Sequence, residues 1–173
     1  VGGPAFVEAV GNWIGGDIPD AFFDARKAED ARVMVEGLDA VDGAVRFVET
    51  LPLDFPRAIA SSSTTHWIRT HLAHLGLSDA FGDHIYSGRE HVTRGKPAPD
   101  IYLHAAEALG IDIKRAVILE DSLVGATGAV ASGAFVIGLA AGRHCNDGHA
   151  ALLLDKGVHA VAHSFEDVVA LLA

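Results

Sequence analysis

Two acidic residues, Glu120 and Asp121, stand directly after the apolar run Ala116-Val117-Ile118-Leu119. Adjacent negative charges at a buried strand end repel each other and resist losing water unless a cation neutralises them. A hard, oxygen-seeking ion such as Mg2+ suits that place, because it takes one or two carboxylates together with water and phosphate oxygens. A solvated acidic turn capping the next helix is the plainer alternative. Lys96 lies upstream in Gly95-Lys96-Pro97-Ala98-Pro99. Its compact positive charge suits a phosphate, and the prolines stiffen its approach by fixing φ. By itself it would equally be a surface lysine in a turn. Ser61-Ser62-Ser63 closes another apolar run and precedes a helical stretch. Hydroxyls and backbone N–H groups at such a junction can cradle phosphate, or simply cap the helix.

The elements that must carry these residues alternate. From residue 43 a helix leads to the strand 57–60, a helix follows Thr64-Thr65, and a short strand falls near 83–87. A helix over 99–109 ends at Gly110, as suits a C-terminal glycine. The strand 116–119, a small-residue helix over 125–132 and the strand 135–139 come next. A last helix, strand and helix cover about 148–155, 158–161 and 165–172. This alternation implies an α/β fold, a doubly wound parallel sheet with helices on both faces. Ligands in such sheets bind beyond the carboxyl ends of the strands, where both the serines and the acidic pair fall. Residues 1–40 differ, reading as helices with Phe6, Val10, Trp13, Ile14, Phe22, Phe23, Val33 and Met34 as apolar positions. They are expected to form part of a helical lid, and 41–173 the α/β core.

Composition narrows the function. A net charge of −10 argues against nonspecific nucleic-acid binding, which needs clustered Lys and Arg. Cys145 is the single cysteine, so neither an intrachain disulfide nor a cluster of thiolates is available. Ten histidines form a reserve of positive charge at mildly acid pH. No apolar run reaches the ~20 residues that span a bilayer, and no signal peptide is visible, so a cytoplasmic protein without membrane partners is expected. A monomer or weak homodimer is the expected state. The segment Gly142-Arg143-His144-Cys145-Asn146-Asp147 invites a metal, but it follows a later strand than the acidic pair and reads as a polar surface connection.

The order strand–Ser, then Lys-Pro, then strand–Glu-Asp is more specific than any of its parts. In these three stretches the chain resembles the haloacid dehalogenase superfamily, in the subgroup of beta-phosphoglucomutase and sugar-phosphate phosphatases. The matching segments are Ile59 to Ser63, Gly95 to Tyr102, and Val117 to Ser122 through Gly125 and Ala126. The resemblance implies that Ser61, with Ser62 and Ser63 close by, binds the phosphoryl group. It implies that Lys96 neutralises that group and the attacking carboxylate. Asp121 would bind Mg2+, and Glu120 would bind it directly or through water. The implied activity is a Mg2+-dependent phosphatase acting on a small phosphorylated metabolite, such as a sugar phosphate, through an aspartyl-phosphate.

The family's first motif, Asp-x-Asp, has no counterpart, since no two aspartates here are separated by one residue. Its first Asp attacks phosphorus and its second acts as acid and base. The expectation is that this strand and the start of the lid lie upstream of Val1, leaving apolar surface uncovered in this chain. A true lack would make it a noncatalytic phosphate binder. A phosphosugar mutase stays open. A receiver domain is disfavoured because its acidic pair comes first, and a metal-free haloacid dehalogenase because the acidic doublet calls for an ion.

Overall fold

A computed structural model describes residues 4–173, and the side chains of residues 4–6 and 9 lie outside that description, Phe6 among them. The chain divides into two compact units, Val1–Leu38 and Asp39–Ala173.

The first unit contains α1 (Pro4–Ile14) and α2 (Asp20–Glu36). Gly15, at φ 73°, breaks the first helix, and Pro19 directly precedes the second. Arg32 pairs with Glu29 and Glu36 one turn away on either side. The expected apolar positions separate here: Val33 is buried and Met34 half-buried, whereas Trp13, Phe22 and Phe23 are exposed. Two short helices bury too little area to cover every large apolar side chain they carry.

The second unit runs α3 (Ala44–Thr50), β1 (Ile59–Ser61), α4 (Thr65–His74), β2 (Ile85–Ser87) and α5 (Asp100–Ala108). A 3-10 turn (Ile113–Arg115) then leads to β3 (Val117–Glu120), α6 (Leu123–Ser132), β4 (Phe135–Leu139), α7 (His149–Asp155), β5 (Ala160–Ala162) and α8 (Phe165–Leu172). Thr64 caps α4 by accepting from the Trp67 N–H, and Ser122 caps α6 by accepting from that of Gly125. All strand pairs are parallel, as the alternation predicts.

The expected single sheet is present in two pieces. β1 pairs with β2, and β3–β4–β5 form the other sheet. Among the described residues, one edge of β1 and one edge of β3 therefore have no strand partner. Both edges line one cleft of about 700 Å³, with Ala58, Ile59 and Ala60 on β1's side and Val117, Ile118 and Leu119 on β3's. Tyr102 and Ala105 of α5, with Phe47 and Phe165, complete its apolar walls. Elsewhere the core is closed: Ile101, Ala126, Ala129, Val136 and Leu153 are fully buried together, and Ile137, Ala162 and Val168 form a second cluster.

Candidate active site at the carboxyl ends of the strands

Each expected site residue falls beyond or at the carboxyl end of a strand. Ser61 ends β1, and its Oγ accepts from the Ser63 N–H at 3.1 Å, which tightens the serine turn. The Ser61 carbonyl accepts from the Gly88 N–H at 2.7 Å, tying that turn to the segment after β2. Gly88 is wedged between this turn and the Lys96 loop, for a Cβ there would lie 3.5 Å from the Ser61 carbonyl and 3.7 Å from the Gly95 Cα. The serine turn and the lysine loop thus meet around one glycine. Glu90 closes the start of α4, where its carboxylate accepts from the Thr65 N–H and hydroxyl. The Thr65 hydroxyl is the main reason that carboxyl is held below its ordinary range.

Lys96 reaches inward. Its ammonium pairs with Glu120 Oε1, and the two side chains are only 10% and 7% exposed. Burying such a pair is tolerable only when further hydrogen bonds satisfy it. Two are supplied: Tyr102 donates to Oε1 at 2.6 Å and Ser122 to Oε2 at 3.0 Å. The Lys96 ammonium also stands 5.0 Å from the centre of the Tyr102 ring. Burial, and secondarily the Glu120 carboxylate, pushes the Tyr102 phenol far above its usual range, so it stays a donor. The Lys96–Pro97 peptide is cis.

The small-residue helix α6 exists to let these groups approach. A Cβ on Gly125 would stand 2.0 Å from Glu120 Oε2, and one on Gly128 would stand 2.9 Å from the carbonyls of Pro97 and Ala98. Three residues apart, they lie on one helix face. One glycine admits the glutamate and the other admits the lysine loop.

Asp121 differs from its neighbour. Its side chain is 49% exposed, and the His144 Nε2 lies 3.3 Å from its Oδ2. The His149 Nε2 is 2.6 Å from the Asp121 carbonyl. The 142–147 loop is therefore no remote connection. β4 pairs directly with β3, so the loops leaving both strands meet at one end of the sheet. Reading the loop by its order in the chain missed this adjacency.

The sequence singled out Ser61, Lys96, Glu120 and Asp121, and these gather at the strand ends. It gave no role to Tyr102, although that residue lies in the lysine motif, nor to His144 and His149. The resemblance implied that Glu120 binds a metal directly or through water. The structure places Glu120 against Lys96, Tyr102 and Ser122, with both carboxylate oxygens accepting from protein donors.

Comparison with known proteins decides the family. A model of haloacid dehalogenase-like hydrolases matches residues 2–133. The chain belongs to that family. A 6-phosphogluconate phosphatase of Escherichia coli is 26% identical over 118 residues, covering 68% of this chain and 52% of the relative. A beta-phosphoglucomutase of Mycobacterium bovis is 38% identical over 109 residues, covering 60% of this chain and 40% of the relative. The chain thus spans about half the length, or less, of these curated relatives. A family hydrolase of Deinococcus radiodurans, solved with bound phosphate and sodium, superposes with a TM-score of 0.80. It is 32% identical, and the match covers 97% of this chain and 73% of that structure. The parallel strands flanked by helices are the fold of this family. No described helix is long and apolar enough to cross a membrane.

Proposed function

We propose that this chain supplies the phosphate-handling part of a Mg2+-dependent phosphatase acting on a small phosphorylated metabolite, a sugar phosphate above all. The observation that carries the reading is the buried Lys96–Glu120 pair beside the half-exposed Asp121. A fixed positive charge and a half-exposed hard carboxylate at one strand end suit a phosphoryl group, which needs positioning and charge neutralisation more than bond-making from the protein. The phosphatase named among the relatives supports the substrate class, and the bound phosphate of the Deinococcus hydrolase supports the ligand.

The donor set fits a magnesium ion: Asp121 offers an exposed carboxylate oxygen, and hard ions take few protein ligands and keep their waters. When bound, the ion would neutralise phosphate oxygens as charge shifts during transfer. Asp121 would hold it. Glu120 would act chiefly on Lys96, fixing its ammonium toward the phosphate, and reach the ion only through water. Ser61, with Ser62 and Ser63, would donate to the phosphoryl oxygens. The attacking carboxylate and the acid–base carboxylate of an Asp-x-Asp strand are not among these residues. In this reading that strand seats in the cleft between β1 and β3, extending both sheets in parallel and bringing its carboxyl end to Lys96. The helices of residues 1–40 would form part of a helical lid, and residues 41–173 the α/β core.

The test is phosphate release from a panel of sugar phosphates, using the chain joined to a family first strand that carries Asp-x-Asp. Release that requires Mg2+ and is lost in Lys96→Ala and Asp121→Ala is expected. An absence of release across the panel, with an Asp-x-Asp strand present, would overturn the reading. A phosphosugar mutase is the second reading, favoured by the 38% identity to a beta-phosphoglucomutase. It would yield an isomeric sugar phosphate rather than free phosphate in the same assay.

A further inference from the structure

We infer that His144, Cys145 and His149 form a three-residue binding site for a thiophilic divalent ion, zinc foremost, with solvent completing its shell. One ligand atom from each of the three residues lies within 4.8 Å of the others. Between His144 and Cys145 the spacing is already that of two ligands on one ion, with the His144 Nε2 3.6 Å from the Cys145 Sγ. Tetrahedral zinc with bonds of ~2.0–2.3 Å sets its ligand atoms roughly 3.3–3.8 Å apart.

The surroundings prepare the ligands. A Cβ on Gly142 would stand 2.5 Å from the His144 ring, so only glycine leaves room for that ring position. The loop is folded by the Cys145 N–H donating to the Gly142 carbonyl at 2.8 Å. The His149 Nε2 donates to the Asp121 carbonyl at 2.6 Å. That bond leaves the lone pair on Nδ1, the arrangement by which a backbone carbonyl orients a ligating imidazole. Cys145 is half-buried and His144 exposed, so an ion has access from solvent. Cys145 would bind as the thiolate, releasing its proton to solvent.

The donor set separates this ion from magnesium. One thiolate and two imidazoles suit zinc and are poor ligands for a hard ion. The His144 Nε2 stands 3.3 Å from Asp121 Oδ2, so an ion held by that nitrogen would break this contact and leave Asp121 to magnesium. The binding site itself does not depend on the phosphatase reading.

Cobalt(II) titration of the 173-residue chain tests the site without turnover. The expected result is one equivalent bound with a thiolate-to-cobalt charge-transfer band and the strong visible absorption of a tetrahedral centre. Zinc should abolish both, and a large excess of Mg2+ should leave them. Cys145→Ser should lose the charge-transfer band, and His149→Ala should weaken binding, with circular dichroism unchanged in both. Absence of the band, its survival in Cys145→Ser, or its displacement by Mg2+ would each overturn the site. Phosphate release is a separate measurement, so failure of one proposal is distinguishable from failure of the other.

Discussion

Gly125 and Glu120 are so close that a Cβ on the glycine would stand 2.0 Å from the carboxylate Oε2. The carboxylate cannot easily give way, because Lys96, Tyr102 and Ser122 all hold it. In an exposed helix interior, Gly→Ala gains about 1 kcal/mol. Overpacking typically costs roughly 1–3 kcal/mol, and here it falls on a buried ion pair. Gly125→Ala is therefore expected to destabilise the chain and to weaken inorganic phosphate binding. Denaturant melts and calorimetric titration would check this; a more stable variant with unchanged phosphate affinity would show that Glu120 moves freely.

Lys96→Ala should destabilise more than Glu120→Gln. The first leaves a buried carboxylate with only neutral donors, and breaking a buried pair from one side costs about 3–5 kcal/mol. The second leaves the Lys96 ammonium unpaired, but it keeps the shape of the side chain and the long lysine stem can carry that charge toward water. Urea midpoints of the two variants give the comparison, and equal losses would mean that water reaches Glu120.

Tyr102 predicts an alkaline signature. Its phenol is raised above the ordinary value of about 10 by burial and by the Glu120 carboxylate. A raised acid binds its proton more tightly when folded, so its stabilisation is complete below pH ~10 and declines as pH climbs above that value. Tyr102→Phe should be less stable at neutral pH and lose less stability between about pH 9 and 11. Parallel slopes for the two proteins would contradict this.

His71 predicts the opposite limb. It is buried on α4, and neither ring nitrogen has a hydrogen-bond partner among the described residues. Burial, aided by the nearby His74, lowers its affinity for a proton below the ordinary value of ~6.5. A depressed base favours folding above that value, and the contribution is lost as pH falls below it. Thermal melts should show stability falling from pH 6.5 toward 5, with a shallower fall in His71→Leu. Removing the two unsatisfied nitrogens should also raise stability at pH 7, by about 1–3 kcal/mol.

Much of the fold was readable in advance, because local chemistry decides it. The strand Phe135–Leu139 and the helix Phe165–Leu172 fall where the apolar periodicity puts them, and Thr64 caps α4 as its side chain allows. The 3-10 turn at Ile113–Arg115 escaped, since three residues carry no period. In β5 the strand lies at Ala160–Ala162, slightly later than the apolar residues alone suggest, because pairing with β4 sets its limits.

By itself the sequence determined the alternation of strands and helices, the placement of Ser61, Lys96, Glu120 and Asp121 at strand ends, and the absence of Asp-x-Asp. Residue type and spacing along one chain suffice for these. Tertiary structure alone decided what each charge faces. Glu120 and Asp121 are neighbours in sequence, yet successive side chains on an extended backbone point to opposite sides. One is buried against Lys96 and Tyr102 while the other stands half-exposed beside His144. The same applies to the loop after β4. Lateral pairing of β3 with β4 brings His144 and His149 to Asp121 across more than twenty residues of chain, a proximity that no spacing rule encodes.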